Sequence, residues 1–99
     1  ARGAINVRRA IIERPVGVGV DIAFDSTLED ARIEGVQSEG IIVGDRCRVI
    51  GNTVLVEPDA DPFMAGLRIV GTDSIISDNS VIGGNSSYFG VQLQGGDWR

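Results

Sequence analysis

The stretch "GLRIVGTDSIISDNSVIGG", Gly66 to Gly84, has an earlier counterpart in "GIIVGDRCRVIGNTVLV", Gly40 to Val56. Both open on Gly, alternate apolar residues and reach Asn shortly before the next Val. They are either two strands of an ordinary small domain or two rungs of a repeat, and periodicity separates the cases. Val7, Leu28, Val49 and Ile76 form a column at intervals of 21, 21 and 27 residues. Five residues further on, Ile12, Ile33, Val54 and Val81 repeat the same intervals. Two residues before the first column stand Ile5, Ser26, Cys47 and Ser74, with Trp98 at the next expected place. Ala10, Ala31, Asn52 and Asn79 fall between the two apolar columns. Gly19, Gly40, Gly66 and Gly90 make a glycine column.

The unequal intervals carry information of their own. From glycine to the following Leu28, Val49 or Ile76 takes 9, 9 and 10 residues, whereas from the second apolar column to the next glycine takes 7, 7, 12 and 9. A packed rung keeps its length and a surface loop need not. The variation gathers in one turn, occupied by "EPDADPFMA" and "GGNSSYF", as in a solenoid with one elaborated corner. Within each rung the apolar residues alternate, as in Val20 and Ile22, Ile41 and Val43, Leu67 and Ile69, Val91 and Leu93. Period two means strand. The reading is an all-β solenoid with rungs of about 21–27 residues. Three short parallel strands make up each rung, stacked at roughly 4.8 Å around aliphatic ladders.

The segment Cys47-x-Val49-x-Gly51-Asn52-x-Val54, echoed by Ser74-x-Ile76-x-Asp78-Asn79-x-Val81, resembles the right-handed parallel β-helix repeat of pectin-lyase-like proteins. The likeness covers nearly the whole chain, about four rungs. It implies that each column glycine opens the first strand of a rung, and that Asn52 and Asn79 stack at a tight turn. Ala10 and Ala31 depart from that pattern, so the asparagine ladder is expected to be two residues deep.

Composition agrees with this reading. The chain has 99 residues, 42% hydrophobic but only 5% aromatic, so its core must be aliphatic. Its 14 Gly imply many turns. The competing fold is a small α/β domain, because "STLE", Ser26 to Glu29, is a capping-box pattern. Leu28, Ala31, Ile33 and Val36 make a broken helical stripe, however, and fit the repeat columns without adjustment. "GVGV", Gly17 to Val20, lacks the spacing and the Lys of a phosphate loop and reads as turn glycine. The single Cys47 excludes an internal disulfide and fits a small buried hydrophobe.

All nine basic residues are Arg, with no Lys and no His. A net charge of −5 spread along the chain leaves no basic footprint for nucleic acid or an anionic membrane. No apolar run approaches spanning length. Without His, acid/base chemistry would fall to a carboxylate, Tyr88 or an unusually placed Arg.

Alternation makes Asp21, Ile42, Arg68 and Gln92 the outward row of the first strands. In pectin-lyase-like enzymes the substrate groove runs along this face, so the resemblance implies Asp21, Arg68, Tyr88 and Gln92 as substrate-binding candidates. A solvated solenoid face accounts for the same residues, and Ile42 weakens a catalytic version. The acidic corner, with Glu57, Asp59 and Asp61, offers hard oxygen ligands suited to calcium but lacks the EF-hand pattern, so a plain acidic turn is the alternative. Phe63, Met64, Tyr88 and Phe89 share the elaborated corner, either to stack on sugar rings or, for Phe63 and Phe89, to fold back over the rungs. Asp25, Arg46, Asp73 and Asp97 precede the Ser/Cys column, and their mixed signs suit surface pairing between rungs.

By fold analogy the expectation is a polysaccharide-binding or polysaccharide-processing segment acting mainly as scaffold. A lyase, glycoside hydrolase or epimerase is the class of any parent enzyme, with no catalytic residue assignable. The alternative is a structural adhesin or phage-tail type of solenoid. The whole chain, 1–99, reads as one solenoid segment of a longer β-helix, secreted or at a cell surface. Its open ends would meet neighbouring rungs or further copies, because uncapped rungs expose strand edge and core.

Overall fold

A computed structural model describes residues 6–93. Every regular element among them is a strand. The first rung holds β1 (Asn6–Arg8), β2 (Ile11–Glu13) and β3 (Val20–Phe24). The second holds β4 (Thr27–Glu29), β5 (Arg32–Val36) and β6 (Ile41–Asp45). The third holds β7 (Arg48–Ile50), β8 (Thr53–Val56) and β9 (Ala65–Ile69), and the fourth β10 (Ile75–Ser77), β11 (Ser80–Gly83) and β12 (Phe89–Leu93). The chain coils into three parallel sheets, ordered β1-β4-β7-β10, β2-β5-β8-β11 and β3-β6-β9-β12. This is an all-β parallel solenoid. The capping-box segment is strand β4.

The sequence columns are the pairing register. Val7 lies against Leu28, Leu28 against Val49, and Val49 against Ile76. Ile12, Ile33, Val54 and Val81 follow the same order. The middle members of both columns are fully buried, and with Ile41, Val43, Leu67 and Ile69 they form a dry aliphatic core. Ile5 and Trp98 lie outside the described residues.

Each rung turns at three corners, and at most of them one residue takes the left-handed conformation. Asp25, Arg46 and Asp73 do so before the first strand of the following rung, with φ of 48°, 53° and 59°. Arg9, Asp30, Gly51 and Asp78 do so between first and second strands, with φ of 56°, 54°, 70° and 57°. Asp tolerates this region better than most side chains, and glycine freely.

The glycine column has a packing cause instead. A Cβ on Gly40 would lie 2.5 Å from the Gly66 carbonyl oxygen and 2.7 Å from Val54 Cγ1. The missing side chain makes room for the valine column. Gly90, in the last described rung, would meet nothing within 4 Å.

The asparagine ladder is two residues deep. Ala31 N–H donates to Asn52 Oδ1 (2.9 Å), and Asn52 N–H and Nδ2 both donate to Asn79 Oδ1 (2.9 Å each). The amides also donate downward, Asn52 to the Leu28 carbonyl (3.0 Å) and Asn79 to that of Val49 (2.8 Å). The preceding corner has a smaller version. Ser26 Oγ donates to Phe24 O at 2.8 Å and the Cys47 thiol to Asp45 O at 3.4 Å, while Ser74 Oγ accepts from Cys47 N–H at 3.0 Å. Cys47 is therefore buried, as a small hydrophobe would be, but it also stands in for the hydroxyl of its column.

Candidate functional site

The outward row exists as read: Asp21 is in register with Ile42, Ile42 with Arg68, and Arg68 with Gln92. Its centre is not an open groove. Arg68 Nε donates to Glu39 Oε1 at 2.6 Å, both side chains being largely buried. Glu39 Oε2 accepts from Ala65 N–H at 2.9 Å, and Arg68 Nη2 reaches the Phe63 carbonyl at 3.4 Å. The guanidinium already has its carboxylate, so Arg68 positions the corner rather than waiting for a substrate anion. Asp21 is exposed, two rungs from Arg68. Gln92 has its amide oxygen buried without a hydrogen-bond donor among the described residues.

Tyr88 is also structural here. Its hydroxyl donates to the Ser38 carbonyl at 2.6 Å, crossing from the fourth rung to the second. Burial, and then the negative charge of Glu39, hold its phenol well above the usual tyrosine range. A hydroxyl held protonated in this way is no general base near neutral pH.

Asn85 organises the loop before it. Its Nδ2 donates to the carbonyls of Pro58 (3.2 Å) and Ala60 (2.9 Å), and its Oδ1 accepts from Ser87 N–H (3.0 Å). Phe63 N–H then donates to Ser87 O, and Phe89 N–H to Met64 O. Ala60 is packed into the core. The aromatic cover expected from Phe63 and Phe89 is absent, for they are 70% and 42% exposed. Tyr88, part-buried against the core, folds back in their place. Phe63 takes the left-handed conformation at φ 63° within that loop.

Asp59 and Asp61 are exposed, and among the described residues no three His, Cys, Asp or Glu side chains gather as a metal ion would require. Asp25 and Arg46 pair across rungs (2.7 Å and 3.3 Å), which lowers the carboxyl pKa of Asp25, and Asp97 lies outside the described residues.

One cleft opens at the corner between second and third strands of the first two rungs, with Asp61 of the third rung on its wall. It encloses about 390 Å³ between the 14–17 loop, residues 35–38 and Asp61. Arg14, Gln37, Ser38 and Asp61 give it donors and acceptors. Gly35 shapes it, since a Cβ there would come within 3.0 Å of Arg14 Cγ. No family model, curated protein or solved structure matched the chain.

Glu39, Asn85 and Arg14 were missed in the sequence. Glu39 and Arg68 are 29 residues apart and Asn85 and Ala60 are 25 apart, neither being a repeat interval of this chain. Arg14 had a faint signal, for it immediately precedes the Pro-Val-Gly turn.

Proposed function

We propose that the chain is a rigid β-solenoid scaffold whose corner between second and third strands binds polysaccharide and performs no chemistry of its own. The observation that carries this reading is the polar cleft beside the stacked corner loops, with Arg14 and Asp61 both on its wall. An Arg fork suits a sugar carboxylate, and Asp, Gln and Ser suit hydroxyls. The exposed ring of Phe63 offers an apolar face to a pyranose. The likeness of the repeat to pectin-lyase-like β-helices supports a polymeric saccharide as the ligand class. In this reading Arg68 and Tyr88 keep the corner in shape, while Asp21 extends the polar face. The second reading, a structural solenoid without ligand, is favoured by the Glu39–Arg68 pair that closes the centre of the outward row.

Calorimetric titration with neutral and uronic-acid oligosaccharides separates them. Saturable binding weakened about tenfold by Arg14→Ala or Asp61→Ala, with thermal stability unchanged, supports the binding corner. No heat with any oligosaccharide at millimolar concentration leaves the structural solenoid.

A further inference from the structure

Arg14 and Asp61 line one cavity with opposite charges, and they do not pair with each other. Among the described residues neither side chain has a hydrogen bond or an ion pair, whereas Arg8, Arg32, Arg46 and Arg68 each reach a carboxylate. Both are nevertheless fixed through their backbones. Arg14 takes the left-handed conformation at φ 49°, and its N–H donates to the Glu34 carbonyl at 2.7 Å. Its stem lies against Gly35, where an added Cβ would come within 3.0 Å of Arg14 Cγ. Asp61 N–H donates to the Gln37 carbonyl at 2.8 Å, next to an Ala60 that is buried and whose carbonyl is held by Asn85. Two unsatisfied charges on anchored backbones give the cavity two electrostatic poles.

The remaining lining residues are uncharged, so the cleft carries one basic group, one acidic group and no net charge. The loop that supplies Asp61 adds Glu57 and Asp59 and has no basic residue from 57 to 64. A run of carboxylates along a sugar chain would satisfy Arg14 once and bring the next carboxylate toward an acidic loop. A ligand with alternating charge meets no such repulsion.

Resting on the saccharide reading above, we propose that the cleft selects a saccharide carrying a carboxylate and a free amine on neighbouring sugars, the carboxylate held by Arg14 and the ammonium by Asp61. A guanidinium fork takes a carboxylate through two parallel N–H donors, and an ammonium donates to a carboxylate through charge-assisted bonds. Gln37 and Ser38 are left for ring hydroxyls. The cavity, about 390 Å³, is at the small end of ligand sites and takes a short segment of a chain.

Calorimetric titration of the full chain at about pH 5.5, where a carboxylate is ionised and a sugar amine protonated, tests the proposal. Four oligosaccharides of matched length are compared: alternating glucuronate and glucosamine with free amines, its N-acetylated form, a homopolymeric uronate and a neutral glucan. The free-amine ligand should bind about fivefold more tightly than its N-acetylated form, and the homopolymeric uronate should bind more weakly than either. Asp61→Asn should erase the preference for the amine while leaving affinity for the N-acetylated form within about twofold. Arg14→Gln, which keeps the stem over Gly35, should weaken both alternating ligands together. Thermal unfolding of each variant confirms that the fold is intact. Equal affinity for the free-amine and N-acetylated forms, or a preference that survives Asp61→Asn, overturns the proposal and leaves the saccharide reading in place. Tighter binding of the homopolymeric uronate does the same. Absence of binding by all four ligands removes the saccharide reading itself, and the proposal with it.

Discussion

At the corner between the first and second strands, one side-chain interaction repeats in the third and fourth rungs; at the corner between the second and third strands, backbone bonds repeat but the side-chain contacts differ from rung to rung. The first corner holds Asn52 and Asn79 in a ladder, each amide spanning the rung boundary with both its oxygen and its nitrogen. The second holds single contacts: Glu39 with Arg68, Asn85 with Pro58 and Ala60, Tyr88 with Ser38. A stacked bond forces constant local spacing, because a residue inserted at that corner would carry the amide out of reach of the rung beneath. A single bond tolerates insertions on either side, and the chain inserts them there. The solenoid therefore draws regularity from one corner and places individuality, including the cleft, at another.

If single contacts at the irregular corner are as well buried as they look, cutting one charge partner should have the largest effect. Arg68→Leu leaves the largely buried Glu39 without its guanidinium partner, and should cost about 3 to 5 kcal/mol in urea denaturation. The double variant Glu39→Gln/Arg68→Leu should recover most of that loss, since Gln still accepts from Ala65 N–H and no charge is stranded. A small loss in the single variant would mean that water reaches the pair and that the irregular corner is looser than the ladder.

The ladder comes second. Asn52→Ala strips the Ala31 N–H and the Leu28 carbonyl of their partners in a fully buried turn, which should cost about 2 to 3 kcal/mol by the same measurement. Asn79→Ala should cost less, because Asn79 is only part-buried. Equal losses would mean that the ladder acts as one unit regardless of depth.

This contrast also explains what could be read from the sequence. Val7, Leu28, Val49 and Ile76 recur because each strand meets its own copy in the next rung, so the pairing partner is written at the repeat interval. The glycine column recurs for a related reason, as each glycine yields space to the neighbouring apolar column. Arg68 stood out by its outward position, yet its partner Glu39 could not be found by any period. Phe63 and Phe89 were expected to cover the rungs on grounds of apolarity alone. Both are exposed, and the part-buried place fell to Tyr88, whose hydroxyl has the Ser38 carbonyl within reach.

Tyr88 offers the smallest and most selective test of the irregular corner. Tyr88→Phe keeps the ring and deletes the bond to Ser38, an expected loss of about 1 kcal/mol. The pH dependence separates this bond from mere packing. The folded-state pKa of Tyr88 is raised, so its contribution is complete below the unfolded value near 10 and is lost as pH climbs toward the folded value. Wild-type stability should thus fall more steeply than that of Tyr88→Phe between about pH 10 and 11.5. The chain has one Tyr and no Lys, and the single Cys47 is common to both proteins, so the difference between their pH profiles reports Tyr88. Phenolate absorbance of the native protein supplies the direct reading, and should lag well behind that of the urea-unfolded chain. Coincident titrations would place Tyr88 in water, and with it would go the argument that single contacts hold this corner as firmly as the asparagines hold the other.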